Sequence, residues 1–260
     1  MKTIRRAREV LKIEINELER VKKSLDRRFS RAVKLILHCL AQGGKIVVTG
    51  VGKSFYVGQK ISATLASTGS TSVILHPSQA MHGDLGILGR NDLLLALSYS
   101  GESDELVQII PAVRRQGNRI VAMTAMPDSA VARASDEIIL TPVAREACPF
   151  NLAPTASTTA ALAVGDALAI VLLEARGFKR EDYAKLHPGG AIGRTLLMRV
   201  GDIMRKGERL AKVSVSAKVK DAILAMTSAR SGSVAVVDRR GKVAWIFTDG
   251  DLRRMISKKR

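Results

Sequence analysis

At 260 residues the chain has room for one large domain and a smaller one, and with 46% hydrophobic residues it can bury a real core, which argues against disorder. Only Cys39 and Cys148 are present, far apart, so a disulfide framework and a secreted home are disfavoured and the cytoplasm is expected. The net charge of +18 invites a nucleic-acid partner, but the excess sits on the flanks: 12 Lys/Arg against 5 Asp/Glu in residues 1–34, 17 against 6 in residues 194–260, and 13 of each sign between them.

Residues 3–41 read as helix. Ile4, Val10 or Leu11, Ile15, Leu18, Val21 and Leu25 recur near three- and four-residue spacing, and Phe29, Val33, Ile36, Leu37 and Leu40 carry the pattern to a stop at Gly43-Gly44. Interleaved Glu14, Glu17 and Glu19 favour a docking or oligomerising helix over a DNA-reading one. No apolar core like that of a signal peptide stands at the N-terminus. Lys45–Thr49 is a short strand, followed by Gly50-Val51-Gly52-Lys53-Ser54 and a helix from about Tyr56 to Ala66. The GKS triplet suggests a nucleotide P-loop, but Val47 stands where that motif needs a glycine, and Phe55 where the dinucleotide fingerprint needs its third. What survives is a glycine-rich turn carrying Lys53, a cation suited to a phosphate or an enediolate oxygen, or else an ordinary surface lysine.

Ser67-Thr68-Gly69-Ser70 offers small donors before a strand at Thr71–Leu75. His76 and His82 are six apart with Asp84 nearby, which is not a recognised zinc spacing; bonds to a sugar hydroxyl or to backbone are the better reading. Leu93–Leu97 is an unbroken apolar run, the mark of a strand buried on both faces. It empties into Ser98-Tyr99-Ser100-Gly101-Glu102-Ser103, ahead of a helix from Glu105 to Gln116. Small hydroxyls and amides facing a helix N-terminus suit a phosphate, with Gly101 allowing close approach or positive φ. A plain helix cap at Ser103 accounts for the same residues.

Strands follow at Arg119–Thr124 and near Glu137–Leu140, then a proline-punctuated loop, Thr141–Pro154, holding Arg145 and Glu146. The long helix Thr155–Ala175 includes an apolar stretch of membrane-spanning length, yet Asp166 and Gly165 at its middle mark a buried helix. No membrane partner is expected. Strand–helix alternation implies an α/β fold, a doubly wound parallel sheet sandwich, whose ligands bind beyond the carboxyl ends of the strands. Lys53, Ser98–Ser103 and Glu105 fall at that edge, and Glu146 lies in the loop after a later strand. The domain reading is a helical segment at 1–42 packing on an α/β domain at 43–194, then a small α+β unit at 200–260. That unit reads β-α-β-β, and its size suggests that it pairs with another copy or docks on the main domain.

Several words in order resemble the D-arabinose 5-phosphate isomerases, which are sugar isomerase (SIS) domain proteins: GVGKS at 50–54, ASTGS at 66–70, HPSQAMHGDLG at 76–86, SYSGESDEL at 98–106, REACPFNLAPTASTTA at 145–160 and HPGGAIGR at 187–194. The resemblance spans roughly residues 30–254, and VGDIM at 200–204 with IFTDGDLRR at 246–254 looks like one CBS motif. It implies interconversion of D-ribulose 5-phosphate and D-arabinose 5-phosphate, with Lys53, Glu105, Glu146 and His187 at the catalytic positions. Ser67, Thr68, Gly69, Ser70, His82, Ser98, Ser100, Gly101, Glu102 and Ser103 would form the sugar-phosphate site, and His76 matches a position associated with inhibitory zinc. It further implies no required cofactor, a homotetramer in the cytoplasm, a supply of 3-deoxy-manno-octulosonate for lipopolysaccharide or capsule, and Thr248 and Asp251 as weak nucleotide contacts. Tyr99 replaces the usual asparagine, Phe55-Tyr56 a Gly-His pair, and Trp245 a glycine, where it would fill the space for a nucleotide. The rival readings are a sugar-phosphate-binding regulator built on the same domain and an isomerase of another sugar phosphate.

Overall fold

Every residue of β1 (Ile46–Gly50) and β3 (Leu93–Leu97) is buried in the computed structural model, which describes residues 2–187 and 198–257. Such strands need cover on both faces. Both belong to a five-stranded sheet of order β2-β1-β3-β4-β5, completed by β2 (Ser72–Leu75), β4 (Arg119–Thr124) and β5 (Glu137–Leu140). All neighbours in it pair parallel. Alternate residues serve the two faces. Ile46, Val48, Leu93, Leu95 and Leu97 meet α2 (Arg27–Ala41), α3 (Lys53–Ser67) and α7 (Ala156–Ala175), while Val47, Leu94 and Ala96 meet Leu106, Ile109 and Val113 of α5 (Asp104–Arg115). The doubly wound expectation holds for this sheet.

The N-terminal segment is two helices rather than one. α1 (Lys2–Ser24) stops before Asp26, whose carboxylate accepts the Arg28 amide at 2.8 Å and starts α2. The capping aspartate breaks a periodicity that would otherwise run through. α3 begins at Lys53, earlier than Tyr56, because Gly52 takes φ 57° and lets the strand turn at once into the helix. Short helices α4 (Pro77–Ala80), α6 (Ala130–Arg133) and α8 (Arg180–Leu186) add to the elements expected from the sequence. α7 is long and apolar enough to cross a membrane by length and composition, but it packs Ala160, Val164, Leu168 and Leu172 into the core. Gly165 lets it approach α3, since a Cβ there would lie 2.3 Å from Ile61 Cδ1.

At the amino edge of the sheet Asp92, 6% exposed, accepts the Lys45 amide at 2.8 Å and the Gly89 amide at 2.6 Å and pairs with the Lys45 ammonium. Burial pushes its carboxyl up, but those bonds outweigh burial and leave it below the ordinary 3.8. Asp92→Ala should cost about 3 kcal/mol, because it strands a half-buried ammonium and two amides. A lowered carboxylate pKa contributes stability above 3.8 that is lost as pH falls through the folded value, so wild-type and variant melting curves should converge in acid. A gap that persists there would mean the charge is not the source.

The chain divides into two compact units, Met1–Leu197 and Met198–Arg260. The second has the expected β-α-β-β order. Its sheet runs β6 (Lys212–Ser214), β7 (Ser233–Val237), β8 (Val243–Thr248), with β6 parallel and β8 antiparallel to β7. The helix Val219–Ser228 covers a small core of Ala211, Ala222, Met226, Ala229 and Val234. Thr248 and Asp251 turn on each other, the hydroxyl donating to the carboxylate at 2.7 Å, and so open the helix Asp249–Ser257. Trp245 is 75% exposed on β8.

Candidate active site

The strand order reverses between β1 and β3, since the chain steps from β1 outward to β2 and from β3 the other way to β4. The loops leaving β1 and β3 therefore part and open a crevice at the carboxyl edge. A cavity of about 330 Å³ lies there, with Lys53, Ser98, Tyr99, Arg145, Glu146 and Ser157 among its walls. Lys53 is exposed at the first residue of α3, and among the described residues it has no acidic partner in the chain. Its ammonium is free for an anion.

The loop after β3 is held by its own hydroxyls. Ser98 Oγ sits 2.9 Å from Ser103 Oγ and accepts the Gly101 amide at 3.0 Å, and Ser100 Oγ accepts the Glu102 amide at 3.3 Å. Ser103 stands at the N-cap of α5, yet its side chain makes no capping bond; the Leu106 amide donates to the Ser103 carbonyl at 3.0 Å, and among the described residues the Asp104 and Glu105 amides remain open, as an anion requires. Gly101 has φ 66°, and a Cβ on it would lie 1.9 Å from Ser129 Oγ. The Glu102 carboxylate turns away to accept the Ala130 amide at 2.8 Å, at the start of α6.

Glu146 is fixed from the opposite wall. Its Oε2 accepts the Thr155 amide at 2.7 Å, the Thr155 hydroxyl at 2.9 Å and the Ser157 amide at 3.2 Å, while its own amide donates to Asn151 Oδ1 at 2.6 Å. The carboxylate thus closes the N-terminus of α7, where the helix dipole favours a negative charge. Burial pushes its pKa up, but hydrogen bonds from Ser157 and Thr155 outweigh that and hold it below the ordinary 4.5. Glu146 is ionised at neutral pH, and Oε1 has no partner among the described residues. Tyr99, whose hydroxyl donates to the Val143 carbonyl at 3.3 Å, is pushed up by burial and by the charges of Glu146 and Glu17.

Other expected site residues lie elsewhere in the chain. Glu105 is half-buried in the first turn of α5, and His187 ends α8 with Nδ1 2.9 Å from the Tyr183 carbonyl and its ring stacked on Tyr183; neither lines the cavity. Residues 188–194 of the HPGG word fall outside the described residues. Ser67, Thr68, Gly69 and Ser70 lie where α3 ends at the amino edge of the sheet, opposite Lys53. There the Ser67 and Thr68 hydroxyls donate to the Thr64 carbonyl, and buried Ser70 accepts from Arg176 at 3.3 Å. His82 is exposed beyond α4. His76 caps α4 by accepting the Ser78 amide at 3.2 Å, its ring edge-on to Phe55 at 4.8 Å. Among the described residues no group of three His, Cys, Asp or Glu is placed to hold a metal. Thr155, Ser157 and Asn151 join the site without any signal in the sequence, because a carboxylate capping a helix that starts nine residues further on follows no local spacing rule.

The SIS domain model matches residues 39–171. Arabinose 5-phosphate isomerase KdsD of Salmonella typhi is 46% identical over 248 residues, covering 95% of this chain and 75% of the relative. Arabinose 5-phosphate isomerase KdsD of Pseudomonas aeruginosa is 49% identical over 230 residues, 88% of this chain and 70% of the relative. A solved structure from Escherichia coli CFT073, in complex with arabinose 5-phosphate, superposes with a TM-score of 0.69 at 35% identity, covering 72% of this chain and 98% of that one. The chain belongs to the SIS domain family, in the branch that holds the arabinose 5-phosphate isomerases.

Proposed function

We propose that this chain interconverts D-ribulose 5-phosphate and D-arabinose 5-phosphate through an enediolate. The observation that carries the reading is the meeting of a free ammonium, Lys53, an ionised carboxylate, Glu146, and the Ser98 loop in one cavity at the switch point of the sheet. An aldose–ketose isomerase needs that set: a base to take a proton from one carbon and return it to the next, a cation for the oxygen that becomes negative, and a cradle for the phosphate. Glu146 acts as the carbon base and Lys53 faces the enediolate oxygen. The phosphate rests on the open amides of α5, beside Ser98, Ser100 and Ser103. No redox cofactor enters, since the hydrogen travels as a proton within one molecule.

Glu105 and His187 stand outside the cavity of their own chain, which supports their use in a site shared between copies of a homotetramer, with His187 serving ring opening or proton transfer between oxygens. Zinc at His76 would inhibit. The product would feed 3-deoxy-manno-octulosonate synthesis in the cytoplasm. Incubation with ribulose 5-phosphate should yield arabinose 5-phosphate. An inert protein would overturn the activity, and faster turnover of a hexose or amino-sugar phosphate would move it to another substrate.

A further inference from the structure

α1 buries only two residues, and one is a carboxylate: Glu17 is 6% exposed. Packing alone would place an apolar side chain there, because burying a charge is costly unless it is hydrogen-bonded. Glu17 is bonded. Its Oε2 accepts the Ala144 amide at 2.7 Å and lies 3.3 Å from Arg20 Nε. One face along the same helix, Arg6 donates to the Ala147 carbonyl at 3.0 Å. Ala144 and Ala147 are the two residues that flank Arg145-Glu146. The helix therefore grips the backbone on both sides of Glu146, in a stretch between Leu140 and Ala156 where no strand or helix forms.

We infer that Glu17 is a positioning residue for the reaction, with Arg6 as its second clamp: α1 sets where the Glu146 carboxylate stands in the cavity. This rests on the isomerase reading. On the far side of Glu146 the cap on α7 fixes Oε2, so the two grips together hold the backbone and the carboxylate, and Oε1 is left to meet the substrate. A base displaced by about 1 Å loses much of its rate while the phosphate still binds.

Glu17→Ala should lower kcat roughly ten- to a hundredfold with little change in KM. Glu17→Gln keeps an oxygen toward the Ala144 amide and should restore most of the rate, and Arg6→Ala should cost about threefold or more by the same route. In a Glu146→Gln background, Glu17→Ala should cost less than about twofold further, since the group it positions is gone. Full additivity in that cycle, or normal kcat in folded Glu17→Ala, would overturn the assignment. Amide hydrogen exchange gives a readout free of turnover. Glu17→Ala should speed exchange at Ala144 and Glu146 while Glu17→Gln protects them, and unchanged exchange would overturn the clamp even if the protein proved to act on another sugar. Loss of ribulose 5-phosphate turnover in the wild type, with exchange behaving as expected, would sink the substrate and leave the clamp standing.

Discussion

Glu146→Gln is expected to lower kcat by roughly 10²–10⁴-fold while arabinose 5-phosphate still binds. The amide keeps an oxygen that can accept from Thr155 and Ser157, so the start of α7 survives and only the proton acceptor is lost. Proton exchange at C2 in deuterated water, followed by NMR, should vanish, and titration calorimetry should find the sugar phosphate bound. Exchange at the wild-type rate would remove Glu146 as the base and pass the role to Glu105. The pH profile carries the same sign: hydrogen bonds hold the carboxylate ionised to below 4.5, so the acid limb of kcat/KM that belongs to Glu146 should lie below that pH. An acid limb near neutrality would belong to another group. Such a weak base gains its driving force from Lys53, which stabilises the enediolate.

Gly101→Ala should cost about 3 kcal/mol, from left-handed strain and overpacking together, and raise KM for the sugar phosphate more than it lowers kcat. At φ 66° an L-residue is strained, and the new methyl would stand 2.4 Å from Ser129 Cβ as well as against its hydroxyl. Relief would push the Ser98–Ser103 loop off α6, where the Val131 amide donates to the Gly101 carbonyl at 3.0 Å. Gly117 is the control: φ is 85° but nothing lies within 4 Å of its would-be Cβ, so Gly117→Ala should show the strain alone, about 1 kcal/mol. Equal losses in denaturant melts would show that Ser129 yields and that packing is not the cause.

The sheet was legible because its strands are short and largely apolar; Arg119–Thr124 was found to the residue, and a strand near Glu137–Leu140 was found where it stands. Helix starts were less so. Asp26 and Gly52 act through a single carboxylate and a single positive φ, which apolar periodicity does not register. Within the site, Lys53 and Ser98 could be placed from their strands, since a residue just past the carboxyl end of a parallel strand has few places to go. Ser67–Ser70 was ambiguous on physical grounds: a run of small hydroxyls reads the same whether it faces a ligand or ends a helix, and within its own chain it ends α3 on the edge opposite Lys53. Glu17 could not be found at all, because its partner is the amide of Ala144, 127 residues on. Only the folded chain brings them together.

The double duty of Glu146 has a consequence for how this protein meets acid. One ionisation strengthens the hold on α7 and, on the isomerase reading, also drives turnover, so a single proton silences the enzyme and weakens that hold, although the neutral group still accepts from Thr155 and Ser157. Inactivation and loosening at Thr155 and Ser157 should then share one midpoint and reverse together when the proton leaves. An acid-tolerant variant would have to find a second latch for the helix before it could adopt a different base.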